Sequence, residues 1–131
     1  MDLLPPQDND AERAFIATVA SDATYKSEKL QSLVMDANPE DFIDPLCKHV
    51  LRATKALVDT QSEISPLSIK GVLEGGGTLA KVGGYTAILD VLGEDYVRNP
   101  DTVLDKIKRL SMNRKLMALG ESIMVEAAGT L

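Results

Sequence analysis

The sequence predicts an all-α fold, a compact bundle of about five short helices followed by one long C-terminal helix. The 131-residue chain is 44% hydrophobic but only 4% aromatic and contains no Trp. Its core must therefore consist of Leu, Ile, Val, Ala and Met, which favours helices over strands. Apolar residues recur at the three- and four-residue spacing of an amphipathic helix, and no useful length of sequence alternates like a strand. The length suits one domain with a single core.

The first helix is predicted in the segment NDAERAFIATVA. Asn9 is a suitable N-cap, and Glu12 at the third helical position completes the pattern of a capping box. Ala11, Phe15 and Val19 then recur at four-residue spacing, so they form one apolar face.

The second helix is predicted at residues 27–35, with three inward-facing residues, Leu30, Leu33 and Val34. It should stop near Asn38, because the following Pro39 pushes that residue out of helical geometry.

The clearest local signal is the segment DPLCKHVLRATKALVD. Asp44 is a good N-cap, and Pro45 suits the first helical position, where its missing N–H group costs nothing. The apolar stripe is wide, which predicts a central helix packed on two sides. Its members are Leu46, Cys47, Val50, Leu51, Ala53, Leu57 and Val58.

Two further short helices are predicted on either side of a glycine-rich stretch. Ser65 and Pro66 repeat the helix-start signal, and a glycine after the last apolar residue is a common helix end. The inward residues of this helix are Ile69, Val72 and Leu73. The next helix lies in GGYTAILDVLG and has four apolar residues at helical spacing, Tyr85, Ile88, Leu89 and Leu92.

The longest periodic segment is predicted to form a helix from Asn99–Pro100 to about Ala127, roughly 40 Å long. Its apolar residues cover more than one face, so it needs a partner helix. Gly120, in mid-helix, is tolerable where two helices approach closely. The predicted oligomer or partner interface consists of Leu104, Ile107, Leu110, Leu116, Met117, Leu119, Ile123 and Met124. The chain then divides into a flexible leader (1–8), a helical head (9–98) and the long helix (99–131).

Composition excludes several classes of protein. A net charge of −6 lacks the basic surface of a typical nucleic-acid binder, so little direct nucleic-acid binding is expected. No apolar run approaches the roughly 20 residues needed to cross a bilayer, and the N-terminus lacks a signal-peptide pattern. A single cysteine excludes a disulfide framework, so the cytoplasm is the expected location.

The glycine clusters at residues 75–77 and 83–84 raise the question of phosphate binding. A P-loop needs a strand followed by Gly-x-x-x-x-Gly-Lys and Ser or Thr, and here Gly77 is followed by Thr78, with Lys81 out of register. The dinucleotide-binding pattern is also missing. The glycines are therefore interpreted as a helix end and a tight entry into the next helix.

Cys47 and His49 are the other candidate reactive pair. Residues two apart on a helix point away from each other, and a zinc site needs three or four ligands. We therefore expect a buried cysteine and a half-buried histidine, with no metal, cofactor or catalytic residue in this chain.

The order of the segments resembles the N-terminal domain of DnaB-type replicative DNA helicases. PPQDNDAERAFIATV is similar to the family's Pro-containing leader and first helix, and EDFIDPLCKHVLRATKALVD to its Asp-Phe-x-x-Pro helix. SEISPLSIKGVLE and VGGYTAILDVL match the next two helices, and LDKIKRLSMNRKLMALGESIM matches the start of the family's helical hairpin. Early in that helix the family often has an aromatic residue and a carboxylate where this chain has VLDKIKRLS, so interface details are expected to differ.

The resemblance implies a helical head with the first arm of a protruding hairpin. In the family such domains pair and form the collar of a hexameric ring as a trimer of dimers, which docks the C-terminal domain of primase and supports loading by a helicase loader. The sequence ends at Leu131, before the expected second hairpin helix and motor domain, and it has no Walker motif. No enzymatic activity is expected of this chain alone, whereas the parent helicase would be ATP-dependent.

Two alternatives remain open at this stage. One is a stand-alone protein of the same fold, such as a phage or plasmid helicase loader, adaptor or inhibitor. The other is a small enzyme or nucleotide binder that uses the glycine loop.

Overall fold

The computed structural model describes the backbone of residues 8–129 and the side chains of residues 8–121 other than Asp22. Residues 1–7 of the predicted leader, and the side chains of Ile123 and Met124, lie outside the described residues. The helices are α1 (Asn9–Val19), α2 (Asp22–Tyr25), α3 (Glu28–Asp36), α4 (Pro45–Asp59), α5 (Pro66–Gly75), α6 (Gly84–Leu92) and α7 (Pro100–Gly129). Single turns of 3-10 helix lie at Pro39–Asp41 and Ala80–Val82. No strand occurs in residues 8–129, so the all-α prediction is confirmed.

The predicted helix starts at α3, α4 and α5 are confirmed by their caps. Asp44 accepts a hydrogen bond from the N–H of Leu46 at 2.9 Å, with Pro45 in the first helical position. Ser65 accepts from the N–H of Ser68, whose hydroxyl in turn accepts from the N–H of Ser65. These interactions join residues no more than three apart, so local sequence is enough to specify them.

The predicted start of α1 is wrong in one respect. Asp8, rather than Asn9, is the N-cap, and its carboxylate accepts from the N–H of Ala11 at 3.0 Å. Glu12 does not fold back to complete a capping box, because its carboxylate binds backbone N–H groups in the segment that precedes α4. The one-turn helix α2 and the two 3-10 turns were not predicted from the sequence.

The core of the head is centred on α4, which packs against α1, α3, α5 and α6. Both sides of its stripe are buried, as the width of that stripe predicted. Phe15 of α1 meets Phe42 with ring centroids 5.9 Å apart. On α6 the burial differs from the predicted spacing, since Ile88 and Val91 are buried whereas Leu89 is exposed.

Helix α7 runs antiparallel to α1 before it leaves the head. The N–H of Val97, just before α7, donates to the hydroxyl of Thr18 at 2.9 Å, near the end of α1. Nine residues later Lys106 pairs with Asp8 at the start of α1. The last buried side chain of α7 among the described residues is Ser111. From there the helix continues for about 27 Å at 1.5 Å per residue. We call α1–α6 the head and residues 112–129 the arm.

Candidate protein–protein interface

The arm carries an exposed apolar stripe on its first two turns. Met112, Leu116 and Leu119 are 55%, 57% and 57% exposed and lie at positions i, i+4 and i+7 of the helix. Side chains at this spacing share one face, as in the seam between two packed helices. A contiguous exposed apolar stripe is typical of a protein–protein contact surface.

The structure divides the predicted interface residues into four groups. Leu104 and Ile107 are buried in the core of the head, because the first half of α7 packs on α1, so they offer no surface to a partner. Leu116 and Leu119 are exposed, whereas Leu110 and Met117 are partly buried. The remaining two, Ile123 and Met124, lie outside the described side chains.

Met112 was missed as a member of the stripe. Its spacing of four residues from Leu116 and seven from Leu119 was the available signal. The sequence alone, however, did not reveal that burial of α7 against the head ends at Ser111, which makes Met112 the first residue of the exposed face.

Asp41 makes three polar contacts with the base of the arm. Asp41 is only 9% exposed, and its carboxylate accepts a hydrogen bond from the hydroxyl of Ser111 at 2.7 Å. The same oxygen lies 3.7 Å from the ammonium group of Lys115. Its backbone carbonyl accepts from Arg114 Nη2 at 2.7 Å. We call these four residues the Asp41 clasp.

Asp41 is itself fixed from both sides. It closes the 3-10 turn that begins after Asn38, whose side chain accepts from the N–H of Glu40 at 3.0 Å. The next residue, Phe42, is buried in the core. The position of Asp41 therefore follows that of the head rather than that of the arm.

Glu12 anchors the chain on the far side of Phe42. This residue is 2% exposed, and its carboxylate accepts from the N–H of Ile43 at 2.9 and 3.1 Å and from the N–H of Asp44 at 3.0 Å. Burial of a carboxylate costs free energy unless it is hydrogen-bonded, and the two N–H groups donate those hydrogen bonds.

Two exposed ion pairs join the first half of α7 to the head. Lys106 pairs with Asp8, and this hydrogen bond, together with that from the N–H of Ala11, lowers the pKa of Asp8. Lys108 pairs with Asp36 at 2.8 Å, and its hydrogen bond lowers the pKa of Asp36. Solvent screens both pairs, so each contributes little to stability.

The glycine clusters end one helix and begin the next, as their positions in the sequence predicted. Gly77, Gly83 and Gly84 have φ values of 72°, 102° and 78°, in the left-handed region that favours glycine. Gly76 caps α5 and Gly83 precedes α6.

Cys47 is fully buried, and burial raises the pKa of its thiol, which makes it a poor nucleophile. His49 is partly buried, as expected. Across the part of the chain that the structure describes, no three His, Cys, Asp or Glu side chains come together as a metal site. Over the same residues, no helix has both the length and the apolar content to cross a membrane.

Comparison with known proteins agrees with the all-helical fold. The family model described as the DnaB-like helicase N terminal domain matches residues 4–118. The fold is similar to the crystal structure of the N-terminal domain of DnaB helicase from Mycobacterium tuberculosis, with a TM-score of 0.81 and 19% identity, over 95% of this chain and 88% of that one. A search of curated proteins finds no match. Since the family model covers most of its length, the chain belongs to the family of DnaB-like helicase N-terminal domains.

Proposed function

We propose that this chain is the N-terminal collar domain of a cytoplasmic replicative DNA helicase, where it mediates oligomerisation and docks primase or a helicase loader. The observation that carries the proposal is the exposed stripe of Met112, Leu116 and Leu119 on an arm that extends beyond the head. ATP hydrolysis and unwinding belong to the motor domain of such a helicase, so this chain contributes assembly and docking.

The chemistry of the stripe fits a second helix. Leucine and methionine at this spacing form the knobs of helix–helix packing, and Met adapts to irregular partner surfaces. Two copies that pair through this face would form an isologous contact, and three such pairs would complete a collar of six.

Self-association of the 131-residue chain tests the proposal by size-exclusion chromatography with light scattering over a range of concentrations. Leu116→Asp places an unpaired charge in the contact and should cost about 3 kcal/mol, equivalent to a more than hundredfold rise in the dimer Kd. Leu67→Asp is the matched control, because Leu67 is 65% exposed but lies on α5 in the head. It should leave the oligomeric state unchanged.

Docking is tested separately by titrating the chain with the C-terminal domain of primase in a calorimeter. We expect binding by the wild-type chain. A chain that stays monomeric at every concentration and binds no primase domain would overturn the proposal. Equal loss of self-association in Leu116→Asp and Leu67→Asp would overturn the assignment of the interface to the arm.

A further inference from the structure

Three polar contacts that α7 makes where it leaves the head meet at one residue, Asp41. Leu104 and Ile107 are buried further back along α7, and Ser111, the final buried side chain in its described part, is 2% exposed. Close packing of these apolar side chains in the core already limits the rotation of this half of α7. Hydrogen bonds weaken steeply as their angle departs from linear, so the Asp41 clasp can fix that rotation.

The helical positions of the clasp support this role. Ser111, Arg114 and Lys115 lie at i, i+3 and i+4, so they share one face of α7. At 100° per residue, the centre of this face is about 110° around the helix from the centre of the stripe formed by Met112, Leu116 and Leu119. A helix held on the first face therefore presents the second face in one fixed direction.

We propose that Asp41 is a positioning residue that sets both the direction of the arm and the rotation of its apolar stripe relative to the head. Asp41 can do so because Phe42, in the core, and the N–H groups of Ile43 and Asp44, held by Glu12, immobilise the segment to which it belongs. The arm leaves the head as one continuous helix, so a small change at its base is amplified along its length. A swing of about 20° at Ser111 would move the helix end, about 27 Å away, by about 9 Å.

The arm direction is measured as a distance between two spin labels by double electron–electron resonance. Ala56→Cys, exposed on α4, and Glu121→Cys, exposed on the arm, provide the attachment sites. The native Cys47 stays unlabelled because it is fully buried and its thiol pKa is raised. Excess unlabelled chain removes distances between copies. Glu121 lies about 15 Å beyond Ser111, so a swing of 20° moves its label by about 5 Å.

Three variants and one control separate orientation from simple loss of a contact. Asp41→Leu removes the carboxylate and leaves only the backbone carbonyl that accepts from Arg114. Ser111→Ala removes the hydroxyl donor, and Asp41→Asn keeps an oxygen that can accept from Ser111. Asp36→Asn removes an exposed charge that pairs with Lys108, one turn earlier on α7, and serves as the matched control. We expect a distance distribution broadened by several ångströms in the first two variants, and near wild-type widths in Asp41→Asn and the control.

Distributions for Asp41→Leu and Ser111→Ala that match Asp36→Asn in mean and width would overturn the proposal. If Asp41→Leu does not fold, Ser111→Ala decides the question, since it leaves Asp41 in place. The consequence for assembly rests on the proposed function, and the distance measurement does not. A broadened distribution without weaker self-association therefore counts against the collar proposal, whereas an unchanged distribution counts against the role of Asp41.

Discussion

Removal of the Glu12 carboxylate should destabilise the head more than any single surface substitution. Glu12 is 2% exposed, and it is the acceptor for the N–H groups of both Ile43 and Asp44. Glu12→Ala leaves these two donors without their partner, at about 1–3 kcal/mol for each fully buried group. Both bonds are only partly buried, so water reaches them and the lower part of that range applies. We expect a loss of about 2 kcal/mol, a large fraction of the 5–15 kcal/mol typical of a domain.

Two further variants calibrate this loss. Glu12→Gln keeps one acceptor oxygen but places an amide NH₂ next to an N–H donor, so it should lose about half as much. Glu74→Ala, on the exposed face of α5, should change the free energy of unfolding by less than about 0.5 kcal/mol.

The assay is urea unfolding followed by circular dichroism, with the free energy extrapolated linearly to zero urea. Because self-association would stabilise the folded chain, all variants are compared at one low concentration and again at a tenfold higher one. A loss below about 1 kcal/mol in Glu12→Ala, at an unchanged slope with urea, would refute the reasoning, since that slope excludes a change in the unfolded state.

Two other predictions concern pH and glycine. The lowered pKa of Asp8 stabilises the fold above the ordinary value of 3.8, and this contribution disappears as the pH falls through the folded-state pKa. Asp8→Asn keeps a capping side chain but removes the charge. The free energy of unfolding, measured with urea, should therefore be higher for the wild type than for Asp8→Asn by less than about 1 kcal/mol at pH 7, and the two should be equal near pH 2. Gly71→Ala should raise the thermal midpoint, because a Cβ there meets nothing within 4 Å and alanine favours a helix by about 1 kcal/mol. Gly77→Ala should lower the thermal midpoint, because its φ of 72° costs alanine a free energy of similar size. Equal shifts of the midpoint in the two variants would contradict this prediction.

The parts of the fold that the sequence predicted are those fixed by short-range interactions. Asp44 with Pro45, and Ser65 with Pro66, specify their helix starts within three residues. The wide stripe of α4 predicted a central helix because burial on two sides requires apolar residues on two sides.

Glu12 shows why other features could not be predicted. Glu12 lies three residues after Asn9, the predicted N-cap, and so has the pattern of a capping box. Its hydrogen-bond partners, however, lie 31 and 32 residues away. Local pattern and tertiary partner compete for the same carboxylate, and only the fold shows that the N–H groups of Ile43 and Asp44 donate to it.

The exposed face of α7 could be predicted only in part for a similar reason. Apolar spacing continues along α7 from Leu104 to Leu119, so the pattern does not reveal where contact with the head ends. That boundary is set by Ser111, a small polar residue whose burial depends on an acceptor 70 residues earlier in the chain.

Glu12 and Asp41 lie at opposite ends of one short connection between α1 and α7. Through this connection the head holds the base of the arm. Glu12 of α1 holds the backbone at residues 43 and 44, Phe42 fills the core, and Asp41 holds α7. The position of α1 is thus linked to the base of the arm through four consecutive residues. An arm that carries its exposed apolar stripe some distance from the core needs such a base, because angular freedom there becomes positional error along the stripe. Stability of this segment and the direction of the arm are therefore aspects of one arrangement.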